Sequence, residues 1–266
     1  MPDAGNKNDL FNSSMSLGDH LEELRARFIL ALLGLGLAIV VSLFFGKFII
    51  AFIERPYIAA MGQEARLQSL APADGFISYM NIAMVGGVVL ASPWIFYQLW
   101  MFISAGLYPH EKLYVHVVVP FSVLLFISGV LLFILFIAPV TLKFLVMFNK
   151  EVLDVESNFT FKNYVSFVVT MMLIFGFAFQ TPIAIFFLHK LGFVSVKAMQ
   201  KSRKFVVLGT VVVAAAATPG SDMFSLFTLA VPLYLLFEVG ILLCYFSERK
   251  KQHNNASSTV TDELTD

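Results

Sequence analysis

The sequence predicts an all-α polytopic membrane protein with six transmembrane helices, of which the fifth and sixth are short, and with both termini in the cytoplasm. Three observations support this prediction. Hydrophobic residues make up 58 % of the 266 residues and charged residues only 14 %, whereas about 25 % charged residues is usual for soluble domains. Uncharged runs long enough to cross a bilayer recur along the chain. Lys and Arg are unevenly distributed between the loops on the two sides of the predicted membrane.

Four apolar runs predict the first four spans. The first covers residues 28–46 and extends past Lys47, and the others cover 76–109, 117–142 and 163–188. A helix needs roughly 20 residues to cross a hydrocarbon core about 30 Å thick. Each run reaches or approaches that length, so each predicts a transmembrane helix.

The fifth and sixth spans are predicted on either side of a Thr-Pro-Gly turn. Residues 205–217 form an uncharged run of 13 residues, and residues 223–246 form the next apolar run, with Glu238 inside it. Thirteen helical residues reach only about 20 Å. Two explanations remain open at this point: the bilayer thins or protein covers the helix ends, or Ser202 and Lys204 extend the span by reaching the membrane surface.

Six spans place both termini on the same side of the membrane. Of the 18 Lys and Arg residues, 12 then lie on the side of the termini and six on the other. The excess of positive charge on cytoplasmic loops therefore predicts cytoplasmic termini. The predicted organisation is a polar N-terminal tail over residues 1–15, a six-span membrane domain over 16–246 and a disordered cytoplasmic tail over 247–266.

Four stretches of the sequence resemble one known family. They read "HLEELRAR" before the first span, "YQLWMFISAGLYPHEK" at the end of the second, "FGFAFQTPIAIFFL" in the fourth and "TPGSDMFSLFTLAVPLYLLFEVG" between the fifth and sixth. In this order they resemble TatC, the polytopic receptor subunit of the twin-arginine (Sec-independent) protein translocase, over essentially all of residues 16–246.

The resemblance implies a function in protein transport. A member of this family binds the twin-arginine signal peptides of folded preproteins. With single-span partners of the TatA and TatB type, it transports them across the bacterial cytoplasmic (inner) membrane by using the protonmotive force. The resemblance also implies homo- and hetero-oligomers and no catalytic residue. The net charge of zero gives no sign of a nucleic-acid partner, and the absence of a metal or nucleotide motif predicts no metal and no cofactor.

The charged stretch before the first span has two interpretations. Four apolar residues at helical spacing predict an amphipathic helix that anchors the span at the membrane surface; they are Leu17, Leu21, Leu24 and Phe28. Glu23 and Arg27 are four residues apart, in the order that favours an ion pair on a helix. The resemblance adds a functional interpretation, because Glu23 and Arg25 match positions that the family uses in signal-peptide recognition.

A second charged stretch follows the second span. On its own, Glu111 indicates no more than an acidic residue in a solvated turn at the start of a helix. The resemblance implies that Glu111 is a second recognition carboxylate and that Phe102 and Tyr108 are aromatic residues of the same site. Carboxylates engage a guanidinium through two parallel hydrogen bonds, which an ammonium cannot reproduce. The hypothesis is that Glu23 and Glu111 converge on one cytoplasmic patch.

Polar residues in the spans and on the outer face complete the candidate set. Gln180 stands in the fourth span where many family members carry Glu; its amide cannot titrate but can bond to a partner. Glu238 is costly in hydrocarbon unless it is paired, protonated or close to the interface. Pro56 and Asp222 match outer-face positions of the family, and Asp222 is also an ordinary helix cap.

Two other classes of protein are weaker predictions. A secondary transporter for small solutes would show paired helix interruptions and several ionisable groups at the midplane, and the chain has one carboxylate inside a span. An intramembrane enzyme would need a nucleophile, carboxylate pair or metal set within the spans. All five histidines lie outside the spans or at their margins, and the lone cysteine, Cys244, excludes an intrachain disulfide.

Overall fold

The computed structural model describes residues 17–62, 66–105, 115–155, 157–217 and 223–263. In this part of the chain the regular structure is helical, apart from one isolated bridge between Gln68 and Thr160. The helices are α1 (Leu17–Phe44), α2 (Gly46–Ile53), α3 (Arg55–Met61), α4 (Asp74–Ala105), α5 (Val115–Leu132), α6 (Ala138–Val152), α7 (Phe161–Ala178), α8 (Thr181–Lys190), α9 (Val196–Ala217) and α10 (Met223–Glu263), with a π-helical segment Phe133–Ile137 between α5 and α6. The predicted all-α class is confirmed.

Within the described residues, five helical stretches are long and apolar enough to cross a membrane. They are Leu21–Phe44, Asp74–Ala105, Val117–Val152, Phe161–Lys190 and Met223–Arg249. They correspond to the predicted first, second, third, fourth and sixth spans. The chain is therefore a membrane protein with several apolar helices.

The predicted short fifth and sixth helices are corrected by the structure. The fifth is α9, which has 22 residues because it begins at Val196 rather than at residue 205. Ser195 caps its first turn, accepting a hydrogen bond from the Ala198 N–H at 3.3 Å. Val196 and Met199 are buried in a cluster with apolar residues of α10. Burial of one apolar face keeps this polar segment helical.

The last helix is also longer than predicted. α10 has 41 residues and its backbone is helical as far as Glu263, where the sequence predicts a disordered tail from residue 247. Helix propagation is favourable once a nucleus exists, and the preceding apolar segment supplies that nucleus.

The predicted fourth span is divided. α7 ends at Ala178 and α8 begins at Thr181, so the helix is interrupted at Phe179 and Gln180. Pro182 lies in the first turn of α8, where its missing N–H and restricted φ are tolerated. A proline in that position removes one backbone hydrogen bond to the preceding turn and therefore favours a break.

Contacts divide the chain into two compact units that interleave in sequence. One comprises the described parts of Met1–Gly46 and Ala83–Leu124, and the other those of Lys47–Ile82 and Leu125–Asp266. The single membrane domain predicted over residues 16–246 stays a prediction.

In the first unit, glycines bring α1 and α4 into close contact. A Cβ on Gly87 of α4 would lie 2.8 Å from the Cα of Ile39 in α1, and one on Gly34 would overlap the indole ring of Trp94. The Trp94 Nε1–H donates to the Leu30 carbonyl at 2.9 Å. Small residues that let backbones approach are a usual device of helix packing in membranes, where apolar burial supplies little drive.

In the second unit, α5 and α7 meet in the same way. A Cβ on Gly129 would lie 2.6 Å from the Phe175 carbonyl oxygen, and one on Gly176 would lie 2.6 Å from the Phe126 ring. Phe126, Phe133 and Phe175 are among the largest fully buried side chains of the described residues. Aromatic rings therefore fill the space around two points of close backbone approach.

Two loops of the second unit are joined beside α3. Backbone hydrogen bonds link Gln68 to Phe159 and Phe161 at 3.2 and 2.8 Å, and Lys162 pairs with Asp74 at 3.4 Å. The segment that precedes α4 is therefore joined to the segment that precedes α7. Burial raises the pKa of Glu54 next to α3.

The close approach at Gly87 is testable. We expect Gly87→Ala to lower the thermal midpoint in detergent, because overpacking of this kind costs about 1–3 kcal/mol and, besides the Ile39 side chain, the added Cβ would meet the Ile39 backbone Cα and N at 2.8 and 2.9 Å. The measurement is loss of the monodisperse peak in size-exclusion chromatography after heating. Gly36→Ala is the matched control, because nothing lies within 4 Å of its added Cβ. Equal midpoints for the two variants would contradict the packing argument.

Candidate functional site

Glu23 belongs to a polar array at the N-terminal end of α1. Helical spacing places Arg27 one turn after it, and their side chains lie 3.4 Å apart, which confirms the predicted i,i+4 pair. The Arg27 Nη1 also donates to Oε1 of Gln98 in α4 at 3.3 Å. Gln98 is only 2 % exposed, so Arg27 supplies a hydrogen-bond partner that a buried amide requires. The array thus orients Glu23 through Arg27 and a buried residue of the neighbouring helix.

An apolar groove runs beside this array. This groove lies between α1 and α4 and has a cavity volume of about 260 Å³. Apolar side chains of both helices line it: Leu24, Phe28, Leu32, Ile95, Leu99 and Phe102. Phe102 is thereby placed at the same end of the helix pair as Glu23.

The exposure of the two charged candidates on α1 differs. The Glu23 side chain is 22 % exposed, and Arg25 is exposed. Glu23 contacts Arg27 through one oxygen at a distance longer than a strong charge-assisted bond. The carboxylate can therefore accept further hydrogen bonds from a guanidinium. Glu111 and Tyr108, the other predicted residues of this site, lie outside the described residues.

Glu238 is held in a second polar cluster between α9 and α10. Its Oε2 accepts a hydrogen bond from the Arg203 guanidinium at 2.8 Å, and Oε1 accepts one from the hydroxyl of Tyr234, one turn earlier in α10. The Arg203 and Glu238 side chains are 46 % and 23 % exposed. Both carboxylate oxygens are thus engaged, and the pair joins the two helices.

Arg203 and Glu238 meet because of their register in an antiparallel pair. Arg203 lies 15 residues before Thr218, and Glu238 lies 15 residues after Met223. Helices that rise equally from a short connection bring such positions to the same height. This symmetry about the connection is a signal in the sequence that could have found Arg203, which the motif comparison missed.

Gln180 lies at the break between α7 and α8. Its N–H donates to the Phe177 carbonyl at 3.0 Å, and its own carbonyl accepts from the Ala184 N–H at 2.9 Å. The side chain is half-buried. The larger apolar groove, of about 500 Å³, begins at this break; its lining includes Leu173, Phe177, Thr181, Val206, Val213 and Phe237.

The outer-face candidates are placed as follows. Pro56 is buried in the first turn of α3, where it begins a new short helix after α2. Asp222 lies outside the described residues. Among the residues that the structure describes, no group of three or more His, Cys, Asp or Glu side chains is placed to hold a metal ion.

Three further residues of these clusters were missed by the sequence comparison. Gln98 and Tyr234 lie within apolar runs and carry no charge, so hydropathy does not single them out. Gln98 is four residues before Phe102, and that helical spacing was its one local signal. Arg203 lies in a basic segment, where its spacing from the connection between α9 and α10 is the one signal that sets it apart from its neighbours.

The helices and the placement of these charges define a class: a polytopic all-α membrane protein with polar clusters between neighbouring helices. A family model described as Sec-independent protein translocase protein (TatC) matches residues 19–232. The chain belongs to the TatC family. This is a family of protein translocase components rather than a known enzyme family.

Individual relatives agree with this assignment. The chain is 31 % identical over 253 residues to the Sec-independent protein translocase protein TatC of Desulforapulum autotrophicum, with 93 % of each chain covered. It is 31 % identical over 238 residues to that of Aquifex aeolicus, covering 90 % of this chain and 98 % of the relative. A solved structure described as the twin arginine translocase receptor TatC is similar with a TM-score of 0.78 and 30 % identity, covering 86 % of this chain and 99 % of that one.

The Arg203–Glu238 pair is testable by a double-mutant cycle. We expect Arg203→Gln and Glu238→Gln each to lower the thermal midpoint. The coupling between the two changes, expressed as free energy of unfolding, should be only about 1 kcal/mol because water screens a partly exposed pair. Tyr234→Phe removes the other hydrogen bond to Glu238 and serves as the comparison. Strictly additive effects of the two charge changes would show that the pair does not stabilise the contact between α9 and α10.

Proposed function

We propose that this chain is the core receptor subunit of a twin-arginine protein translocase. It binds the twin-arginine signal peptides of folded preproteins and, with single-span partners of the TatA and TatB type, transports them by using the protonmotive force. The observation that carries the proposal is the family match over residues 19–232 together with Glu23 held at the end of α1 by Arg27. The family match does not favour the alternative, a secondary transporter for small solutes.

The proposed topology has six spans, cytoplasmic termini and a location in the bacterial cytoplasmic (inner) membrane. The charged first half of α9 (Val196–Ala217) is assigned to the headgroups, and the 13 uncharged residues that follow reach only about 20 Å, so the proposed fifth span requires a locally thinner bilayer. The distribution of Lys and Arg supports the orientation. Homo- and hetero-oligomers belong to the same proposal.

Recognition of the arginine pair is assigned to Glu23 and Glu111. Arg27 and the buried Gln98 orient Glu23, and preorganised carboxylates lose less entropy on binding than mobile ones. Guanidinium–carboxylate bonds are charge-assisted and bidentate, which disfavours lysine in the same place. Arg25, Phe102 and Tyr108 are proposed as further residues of the peptide site, with Phe102 on the apolar groove beside Glu23.

Partner contacts are assigned to the fourth and sixth spans. Gln180 lies at a helix break at the edge of a large apolar groove, which suits the apolar helix of a single-span partner that carries one polar group. An amide can form such a hydrogen bond without titrating. Glu238 is assigned to the contact between α9 and α10, through which it shapes the same groove. Pro56 and Asp222 are assigned structural roles on the outer face.

The recognition proposal predicts a charge-specific loss of binding. We expect Glu23→Lys and Glu111→Lys to reduce photo-cross-linking of a twin-arginine peptide at least about tenfold, because each charge-assisted hydrogen bond contributes roughly 1.5–3 kcal/mol. A peptide with two lysines in place of the arginines should cross-link poorly to the unmodified protein.

Glu22→Lys provides the matched control. Glu22 is exposed and adjacent to Glu23, so the change introduces the same charge without removing the proposed ligand, and cross-linking should be retained. Undiminished cross-linking in both the Glu23 and Glu111 variants would refute the assignment of these carboxylates.

A further inference from the structure

The helix α9 has two faces of different character. One face packs inside the second unit, where Val196, Met199 and Ala214 are 6 %, 4 % and 1 % exposed. Arg203 lies on this face and pairs with Glu238. The opposite face is open, and it is divided along its length: the first half carries lysines and the second half carries large apolar side chains.

Three lysines form a stripe on the open face. Lys197, Lys201 and Lys204 follow one another at spacings of four and three residues, which place side chains on one side of a helix about 5–6 Å apart. All three are exposed. None of them pairs with an acidic side chain among the described residues.

The same face continues into exposed apolar residues. Phe205, Leu208 and Val212 are 66 %, 62 % and 59 % exposed, and helical spacing places Leu208 directly beyond Lys204. The Lys204 ammonium also lies 5.2 Å from the centre of the Phe205 ring. The helix therefore presents a cationic segment and an apolar segment in one line.

This arrangement matches the two ends of a phospholipid. The apolar segment is compatible with acyl chains, and lysines at the edge of a membrane helix extend their ammonium groups to the headgroup level. A lysine near an anionic membrane surface contributes about 1 kcal/mol, which is roughly fivefold in affinity. A zwitterionic headgroup carries no net charge and therefore attracts the three lysines less strongly than an anionic headgroup does.

We propose that the lysine stripe of Lys197, Lys201 and Lys204 is a binding site for the phosphate headgroup of an anionic phospholipid, whose acyl chains lie along Phe205, Leu208 and Val212. The site uses neither Glu23 nor the Arg203–Glu238 pair. Its function would be to hold the charged first half of α9 at the headgroups, at the end of the uncharged run that is too short to span the core by itself.

Native mass spectrometry of the full-length protein in detergent tests this site. The probes are phosphatidylglycerol and phosphatidylcholine with identical acyl chains. We expect the unmodified protein to bind phosphatidylglycerol preferentially, and the triple variant K197Q/K201Q/K204Q to lose at least about tenfold of that binding. Binding of phosphatidylcholine should not change, and K197R/K201R/K204R should retain the preference.

The control is the charge-matched triple variant K47Q/K143Q/K150Q, whose lysines are also exposed and which should retain the preference. Equal losses in both triple variants would overturn the proposal, since binding would then follow total charge. Unchanged lipid binding in K197Q/K201Q/K204Q would overturn it as well. If that variant instead lost binding of a protein, the lysine stripe would be a protein contact and the lipid proposal would be wrong. The variant K197Q/K201Q/K204Q should still cross-link to a twin-arginine peptide in detergent. Failure of the lipid proposal can therefore be distinguished from failure of the proposed receptor function.

Discussion

Hydrocarbon supplies no hydrogen-bond partner for a peptide group, and this constraint underlies the whole structure. Every backbone N–H and C=O of a span must bond inside its own helix, so the apolar runs form long helices rather than strands. Even the exceptions obey the constraint. The π-helical segment Phe133–Ile137 keeps α5 and α6 in one continuous helical stretch, and at the break before α8 the Gln180 backbone bonds on both sides.

The same solvent removes the usual drive for helices to associate, because lipid tails are as apolar as the side chains. Close approach at small residues then supplies contact through dispersion. Gly34 and Gly87 serve α1 and α4 in this way, and Gly129 and Gly176 serve α5 and α7. Phenylalanine, with 29 copies in the chain, fills the remaining space around such points.

The charged groups of α1, α9 and α10 have distinct arrangements. Glu23 remains open to a further donor while Arg27 is anchored on a buried amide. Glu238 has both oxygens engaged by Arg203 and Tyr234, which suits a structural contact better than capture of a ligand. The lysines of α9 face outward. Adjacent basic residues on one helix thus have opposite environments, decided by the side of the helix on which each lies.

The family and five apolar helices long enough to cross a membrane could be predicted from the sequence alone, because length and hydropathy of a run are local properties and the motifs are contiguous. The start of α9 at Val196 does not follow from hydropathy, because the first residues of this helix are mostly polar. Its apolar residues Val196 and Met199 are buried only through their packing against α10. The break at Gln180 has a local cause in Pro182, yet the uncharged run around it predicts one unbroken helix.

Only the tertiary structure decided which polar groups meet. Arg27 and Gln98 are 71 residues apart, and Arg203 and Glu238 are 35 apart. Whether such residues touch depends on the rotation and height of packed helices, and hydropathy contains no information about either. The sequence determined that "LGDHLEELRARF" is a charged amphipathic entrance to the first span. The packing of α1 on α4 determined that Arg27 is anchored on Gln98, leaving Glu23 with capacity for a further partner.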